Sequence, residues 1–143
     1  MTQSATPLRD RGSVLAATVS LVVGLACPLG GAAVVWSQRH RLPERVVTHW
    51  GADGRADGFA SVPMAVGMST LIVFVLVALL AVTGLVTRQG RYLGPPAGGL
   101  GAFVSILSNG SLLQQVDLDA EAARQVQPGG VLVAGLVAGL LVG

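Results

Sequence analysis

Four apolar blocks divide this chain, and polar segments of unequal length separate them. The first block runs from Ser13 to Ser37 and the second from Val62 to Val86, both without a charge. Apolar residues fill each block instead of recurring with a period of 3.6 or 2.0, so neither half-buried helices nor half-buried strands are indicated. At about 1.5 Å per residue each block makes roughly 37 Å of helix, enough to cross a hydrocarbon core of ~30 Å with some tilt. Pro28 removes a backbone donor near the middle of the first helix and predicts a kink there. Trp36 closes that helix as an aromatic residue of a membrane interface does. Ser61 is placed to cap the second helix, with Pro63 in its first turn, and Arg88 and Arg91 close it.

The later blocks are weaker. Leu93-Gly94-Pro95-Pro96 predicts a rigid turn. Ala97 to about Val116 reaches the ~20 residues a span needs but carries Gly98, Gly99, Gly101, Ser105, Ser108, Asn109 and Ser111. A spanning helix is expected, with a re-entrant or interfacial segment as the alternative. Asp117 to Gly130 is a polar connector with room for one helical turn around Ala120–Gln125. Val131–Gly143 spans only roughly 20 Å as a helix, too short to cross. It reads as a truncated last helix, or else a half-inserted one. Residues 1–12 are polar and read as a disordered tail. The expected fold is therefore an all-α membrane protein: a bundle of three to four transmembrane helices at 13–37, 62–86, 97–116 and 131–143. A short, turn-rich extramembrane loop at 38–61 joins the first two.

Composition sharpens this picture. The 143 residues are 52% apolar and 11% charged, against roughly a quarter charged in ordinary soluble domains. Nine basic residues, all arginine, sit at the ends of apolar blocks and form no basic face, which excludes a nucleic-acid surface. No Asp, Glu, Lys, Arg or His interrupts an apolar block, which argues against a pump or proton-coupled carrier built from this chain alone. If the N-terminus is cytoplasmic, four arginines lie inside and five outside, so the positive-inside rule assigns no orientation. The lone Cys27 excludes an intramolecular disulfide and reads as a packing residue. Gly24-Leu25-Ala26-Cys27 is a poor lipoprotein box, and apolar residues continue past it to Trp36, as in an uncleaved anchor. Ala16, Ser20 and Gly24 recur every fourth residue, as do Gly135, Gly139 and Gly143. Such stripes serve either packing within one bundle or oligomerisation. Ser105, Ser108 and Asn109 share a face from which they could bond across helices.

The chemistry gathers in LPERVVTHWGADGRADGFAS, residues 42–61. Pro43 forces Leu42 extended. Arg45 to Trp50 predicts a short strand or extended arm. Asp53-Gly54 and Asp57-Gly58 predict two successive turns that bring Trp50 and Phe59 together at the membrane surface. His49, Asp53 and Asp57 are the residue types of a zinc or manganese site. The commoner arrangement for such aspartates is a turn capped by its own side chains. The calcium-loop pattern fails, with Arg55 at the third ligand position and Met64 at the twelfth. His49 beside an aspartate has the makings of an oriented base, yet no nucleophile accompanies it. Neither metal ligands nor catalytic residues are assigned, and no cofactor is implied.

Leu42, Pro43, Thr48, His49, Trp50, Gly54, Asp57, Gly58, Phe59 and Ser61, in that order and spacing ahead of an apolar helix, resemble domain-of-unknown-function family 1648. The resemblance covers about residues 15–65. It departs from the family at Val47, where a second proline is frequent, and at Val62, where a lysine is common. The family occurs in small multi-spanning proteins of the bacterial cell membrane, including the SdpI-like group. Some members act in immunity to a membrane-active peptide or in signalling. The resemblance implies a motif loop on the extracytoplasmic side, with Pro43, Thr48, His49, Trp50, Gly54, Asp57, Gly58 and Phe59 as its binding residues. Partners would be the bilayer, a peptide or membrane-protein partner, and a second copy through the small-residue faces; nucleic acid is not among them. Three functions compete: a sensor or immunity-type protein, an accessory subunit of a transport system, and a metal-dependent membrane enzyme. The missing intramembrane charges count against the second, the missing nucleophile against the third.

Overall fold

The computed structural model describes residues 11–87, 90–127 and 129–142. The expected 1–12 tail falls almost entirely outside these residues, as do Arg88 and Gly143 and the side chains of Ala16, Ser20 and Arg91. Helix α1 spans Arg11–Ser37 and runs into a 3-10 turn at Arg39–Arg41. Strands β1 (Arg45–Trp50) and β2 (Ala56–Ser61) follow as an antiparallel hairpin. Then come α2 (Val62–Val86), α3 (Gly90–Leu113), the short α4 (Ala120–Arg124) and α5 (Gly129–Val142).

Two expectations need correction. The chain is predominantly helical but not all-α: the expected extended segment Arg45–Trp50 is a strand, and Ala56–Ser61 pairs with it, so the turn-rich 38–61 loop holds a two-stranded hairpin. Leu93–Pro96 is no turn: α3 starts at Gly90 and carries Pro95 and Pro96 within it. Proline fixes φ near the helical value, so two in the second turn remove donors without breaking the path of the chain. Packing then holds the segment, since Gly94 and Ala97 to Gly99 are buried. Pro28 likewise lies inside α1, fully buried.

Helix α3, the least apolar of the long helices, is the central one, packed against α1, α2 and α5. Its composition explains the position. Glycine and alanine at 97–102 let neighbouring backbones approach, the mode by which helices associate in apolar surroundings. A Cβ at Gly24 of α1 would stand 2.9 Å from the Gly98 Cα, and one at Gly135 of α5 would stand 3.1 Å from the Phe103 carbonyl oxygen. The glycines of both stripes that lie among the described residues therefore face α3 of their own chain. Ser105, Asn109 and Ser111 are buried as well. Contrary to the expectation of bonds across helices, Ser108 and Ser111 bond carbonyls one turn back within α3. Asn109 does the same, to the Ser105 carbonyl and hydroxyl. Short polar side chains on a helix reach the preceding turn more easily than a neighbouring helix.

Helix α2 is the reverse case. Val62, Ala65, Val73 and Val77 form a narrow buried stripe, while Met64, Met68, Leu71, Ile72, Val75, Leu79 and Val82 are exposed. Val62–Gly84 is long and apolar enough to cross a bilayer, and only 17% of its most apolar window is buried within the protein. A contiguous apolar surface of this kind suits lipid and not water. Leu21–Ser37 and Gly129–Val142 are shorter apolar helices. The hairpin lies where α1 ends, α2 begins and α3 ends. There Val35, Val46, Val62, Ala65 and Leu112 form one apolar cluster, with Leu42 and Ala60 at its edge.

Candidate functional site

The hairpin turns through Gly51–Arg55. The Gly54 amide donates to the Gly51 carbonyl at 2.9 Å, and the Gly51 amide to the Arg55 carbonyl at 2.8 Å. Gly54 has φ of +76°, a conformation that suits glycine. Asp53 accepts from the Arg55 amide at 3.1 Å, the self-capped turn its position suggests. Asp57-Gly58, by contrast, is not a second turn: both residues lie inside β2.

What Asp57-Gly58 produces instead is a bulge. The ladder pairs Val47 with Phe59, His49 with Gly58 and Trp50 with Ala56, so Thr48 in β1 and Asp57 in β2 are the extra residues. Bulges re-aim side chains, and this pair leaves Thr48, His49 and Asp57 all exposed. His49 Nδ1 lies 2.5 Å from Asp57 Oδ1. Gly58 has to be a glycine, because a Cβ there would stand 2.7 Å from the Cβ of His49. Trp50 and Phe59 do not pair with each other in the ladder. Each turns to the 120–126 segment: the Trp50 indole N–H donates to the Val126 carbonyl at 2.8 Å. The guanidinium of Arg124 lies over the Phe59 ring at 5.3 Å from its centre. Pro43 is half-buried beside the cluster edge at Leu42.

Three contacts from outside the motif fix the hairpin. Gln115, fully buried, accepts from the Val47 amide at 2.8 Å and donates to the Val47 carbonyl and the Ser111 carbonyl, each at 3.0 Å. Its side-chain amide thus pairs with the outer edge of β1 as a neighbouring strand would. The Asp119 carboxylate caps α4 through the amides of Glu121 and Ala122 and so sets the position of Val126 and Arg124. Arg41 and Asp117 form a two-pronged ion pair, Nε donating to Oδ1 at 3.0 Å and Nη2 to Oδ2. The Asp117 amide also donates to the Arg41 carbonyl at 2.8 Å, with Asp117 at φ of +63°. Gln115, Asp117, Arg124 and Val126 are absent from the motif. The one sequence signal for them is a polar run directly after an apolar block.

The hydrogen bond from Arg41 lowers the pKa of Asp117 below its ordinary 3.8, and Asp117 in turn raises that of Arg41. A depressed carboxyl contributes stability above its unfolded value and loses it as pH falls through the folded one. Loosening of the α1–α3 link is therefore expected only below about pH 4, where the carboxyl takes up its proton. Asp117→Asn, which tolerates positive φ, should abolish that acid response while keeping the turn. Hydrogen exchange at the residue 117 amide across a pH series, referenced to an unconnected amide, would measure it. An acid response unchanged in the variant would assign it elsewhere.

Among the described residues no three His, Cys, Asp or Glu side chains converge as a metal would require. The arrangement that remains is a doubly bulged hairpin whose strands carry an exposed hydroxyl, imidazole and carboxylate. Residues 23–80 match the model of the domain of unknown function DUF1648. The match takes in most of α1, the whole hairpin and most of α2. No curated protein and no solved structure matches the chain significantly.

Proposed function

From a chain whose residues 23–80 are a DUF1648 domain, we propose a multi-pass protein of the bacterial cell membrane that acts as a sensor or immunity-type receptor. The bundle crosses the bilayer three or four times, and the hairpin reads the extracytoplasmic side, as in the SdpI-like proteins. Its contact surface for a peptide or protein partner is the bulged face of Thr48, His49 and Asp57. The observation that carries this reading is the exposure of those three side chains on a hairpin pinned by Gln115, Val126 and the Arg41–Asp117 pair. A free loop would lose conformational entropy on binding, about 0.5–1.5 kcal/mol for each side chain it orders; a pinned one has already lost most of it. Polar groups held outward by bulges, with no fold to support in that direction, are what recognition requires.

The reading makes a separable prediction for two kinds of residue. Asp57→Ala and His49→Ala remove exposed groups and should leave folding within about 0.5 kcal/mol. Both should weaken partner binding at least about tenfold, ~1.4 kcal/mol, and should lower cell survival under challenge with a membrane-active peptide or induction of the protein's own promoter. Membrane levels by immunoblot should match the parent. Full protection and signalling in both variants, at parental levels, would end this assignment.

A further inference from the structure

On the side of the hairpin facing α4 lies an open cleft of about 310 Å³, lined by Glu44, Arg45, Phe59, Ala120 and Arg124. Phe59 organises it. The Arg45 guanidinium donates through Nη2 to the Phe59 carbonyl at 3.1 Å, and the Arg124 guanidinium lies over the Phe59 ring. Two cations are thus held around one residue, each by a contact that leaves most of its five N–H donors free. Among the described residues, neither Arg45 nor Glu44 takes part in an ion pair. Arg124 reaches only Glu121, at 4.0 Å, on a pair that is mostly exposed. Of the side chains that line the cleft two are cationic, Arg45 and Arg124, and one, Glu44, is anionic.

The height of the cleft gives the charge its meaning. Arg45 pairs in the ladder with Ser61, the residue immediately before α2 begins at Val62. Where α2 enters hydrocarbon, Arg45 stands at headgroup level. Forked N–H donors from arginine match phosphate oxygens better than any other side chain, and Glu44 offers an acceptor to an ammonium beside that phosphate. We infer that the Arg45–Arg124 cleft binds a phosphate group, carried by a phospholipid headgroup at the membrane surface and read together with its amine by Glu44. The cleft shares no lining residue with Thr48, His49 and Asp57; it depends on α2 crossing the bilayer and not on the identity of the partner those residues meet.

The test uses the full chain in a neutral maltoside detergent, where no bilayer surface potential contributes, with phosphatidylethanolamine, phosphatidylglycerol or phosphatidylcholine titrated in. Retained lipid is read by native mass spectrometry. Phosphatidylethanolamine should bind most tightly, and Arg45→Gln with Arg124→Gln should weaken it by roughly tenfold or more for each arginine, the scale of a hydrogen bond to a charged group. Ala120→Glu adds a carboxylate at an exposed position in the first turn of α4, where helix formation tolerates it, and should weaken binding similarly even if the double variant fails to fold. Glu44→Gln should reduce the preference for the ethanolamine lipid over the glycerol lipid. Inorganic phosphate at millimolar concentration distinguishes the source of the group: displacement of lipid by phosphate alone, sensitive to Ala120→Glu, would make it a soluble phosphate site and overturn the lipid assignment. Retention of each lipid to the same extent in the parent and in Ala120→Glu would overturn the site itself. Since the readout is lipid retention, it stands or falls apart from the survival phenotype of the His49 and Asp57 variants.

Discussion

Gln115→Leu should detach the hairpin from the bundle while leaving the helices in place. Leucine fills nearly the same volume, so the change isolates the amide. It strands the Val47 N–H, the Val47 carbonyl and the Ser111 carbonyl, all now served by one buried side chain. The Ser111 carbonyl has no helical successor to fall back on, because the Gln115 amide bonds Leu112. A buried polar group left without a partner costs about 1–3 kcal/mol. Water can reach some of these groups once the hairpin moves, which sets the net loss of docking at roughly 2–5 kcal/mol. Amide exchange at Val47 should accelerate in proportion, about thirtyfold or more, while exchange in α2 changes little. Gln115→Glu keeps an acceptor for the Val47 N–H but turns a buried carboxylate oxygen toward the Val47 and Ser111 carbonyls, so at neutral pH it should be at least as disruptive as leucine. If Val47 exchanges at the parental rate in Gln115→Leu, the glutamine is not what holds the strand.

Much of this architecture was open to reading from the chain, for reasons that differ from element to element. The second helix, Val62–Val86, lies within the uncharged run between Asp57 and Arg88, and nothing within it opposes helix formation or lipid. The motif that resembles the family was legible because two of its residues, Gly54 and Gly58, are required by local geometry. The role of Asp57-Gly58 escaped for the same local reason: the dipeptide suits a turn, and only the cross-strand pairing of His49 with Gly58 turns it into a bulge. The Pro95-Pro96 pair reads as a stop signal, since local sequence carries no trace of the helices that pack on both sides of it. Gln115 was least legible of all. Its partner is the backbone of Val47, which has no residue identity to read, and they lie 68 positions apart.

Gly101→Leu should separate α1 from α3 and, through that, disorder the site. A Cβ at 101 would stand 2.7 Å from the Gly24 carbonyl oxygen, 3.0 Å from the Gly24 Cα and 3.1 Å from the Val77 side chain. Two of those three neighbours are backbone, which cannot rotate aside. Leucine is the better helix former by about 1 kcal/mol, but overpacking of a close interface costs roughly 1–3 kcal/mol or more and grows with each added carbon. Four added carbons place the clash at the top of that range, so it outweighs propensity and the net loss should be about 2 kcal/mol against thermal unfolding in detergent. Gly30→Ala is the opposing case, because nothing lies within 4 Å of a Cβ there. Propensity then acts alone and should stabilise α1 by about 0.5–1 kcal/mol. The contrast matters because α1 leads directly into the Arg41 turn, and α3 leads directly to Gln115 and Asp117. Displacing one helix from the other stretches the Arg41–Asp117 pair and the Gln115 contact at once. Gly101→Leu should therefore raise exchange at Val47 as Gln115→Leu does, without touching any polar atom of the site. Parental exchange at Val47 in a Gly101→Leu protein of lowered thermal stability would show that hairpin docking is independent of helix packing.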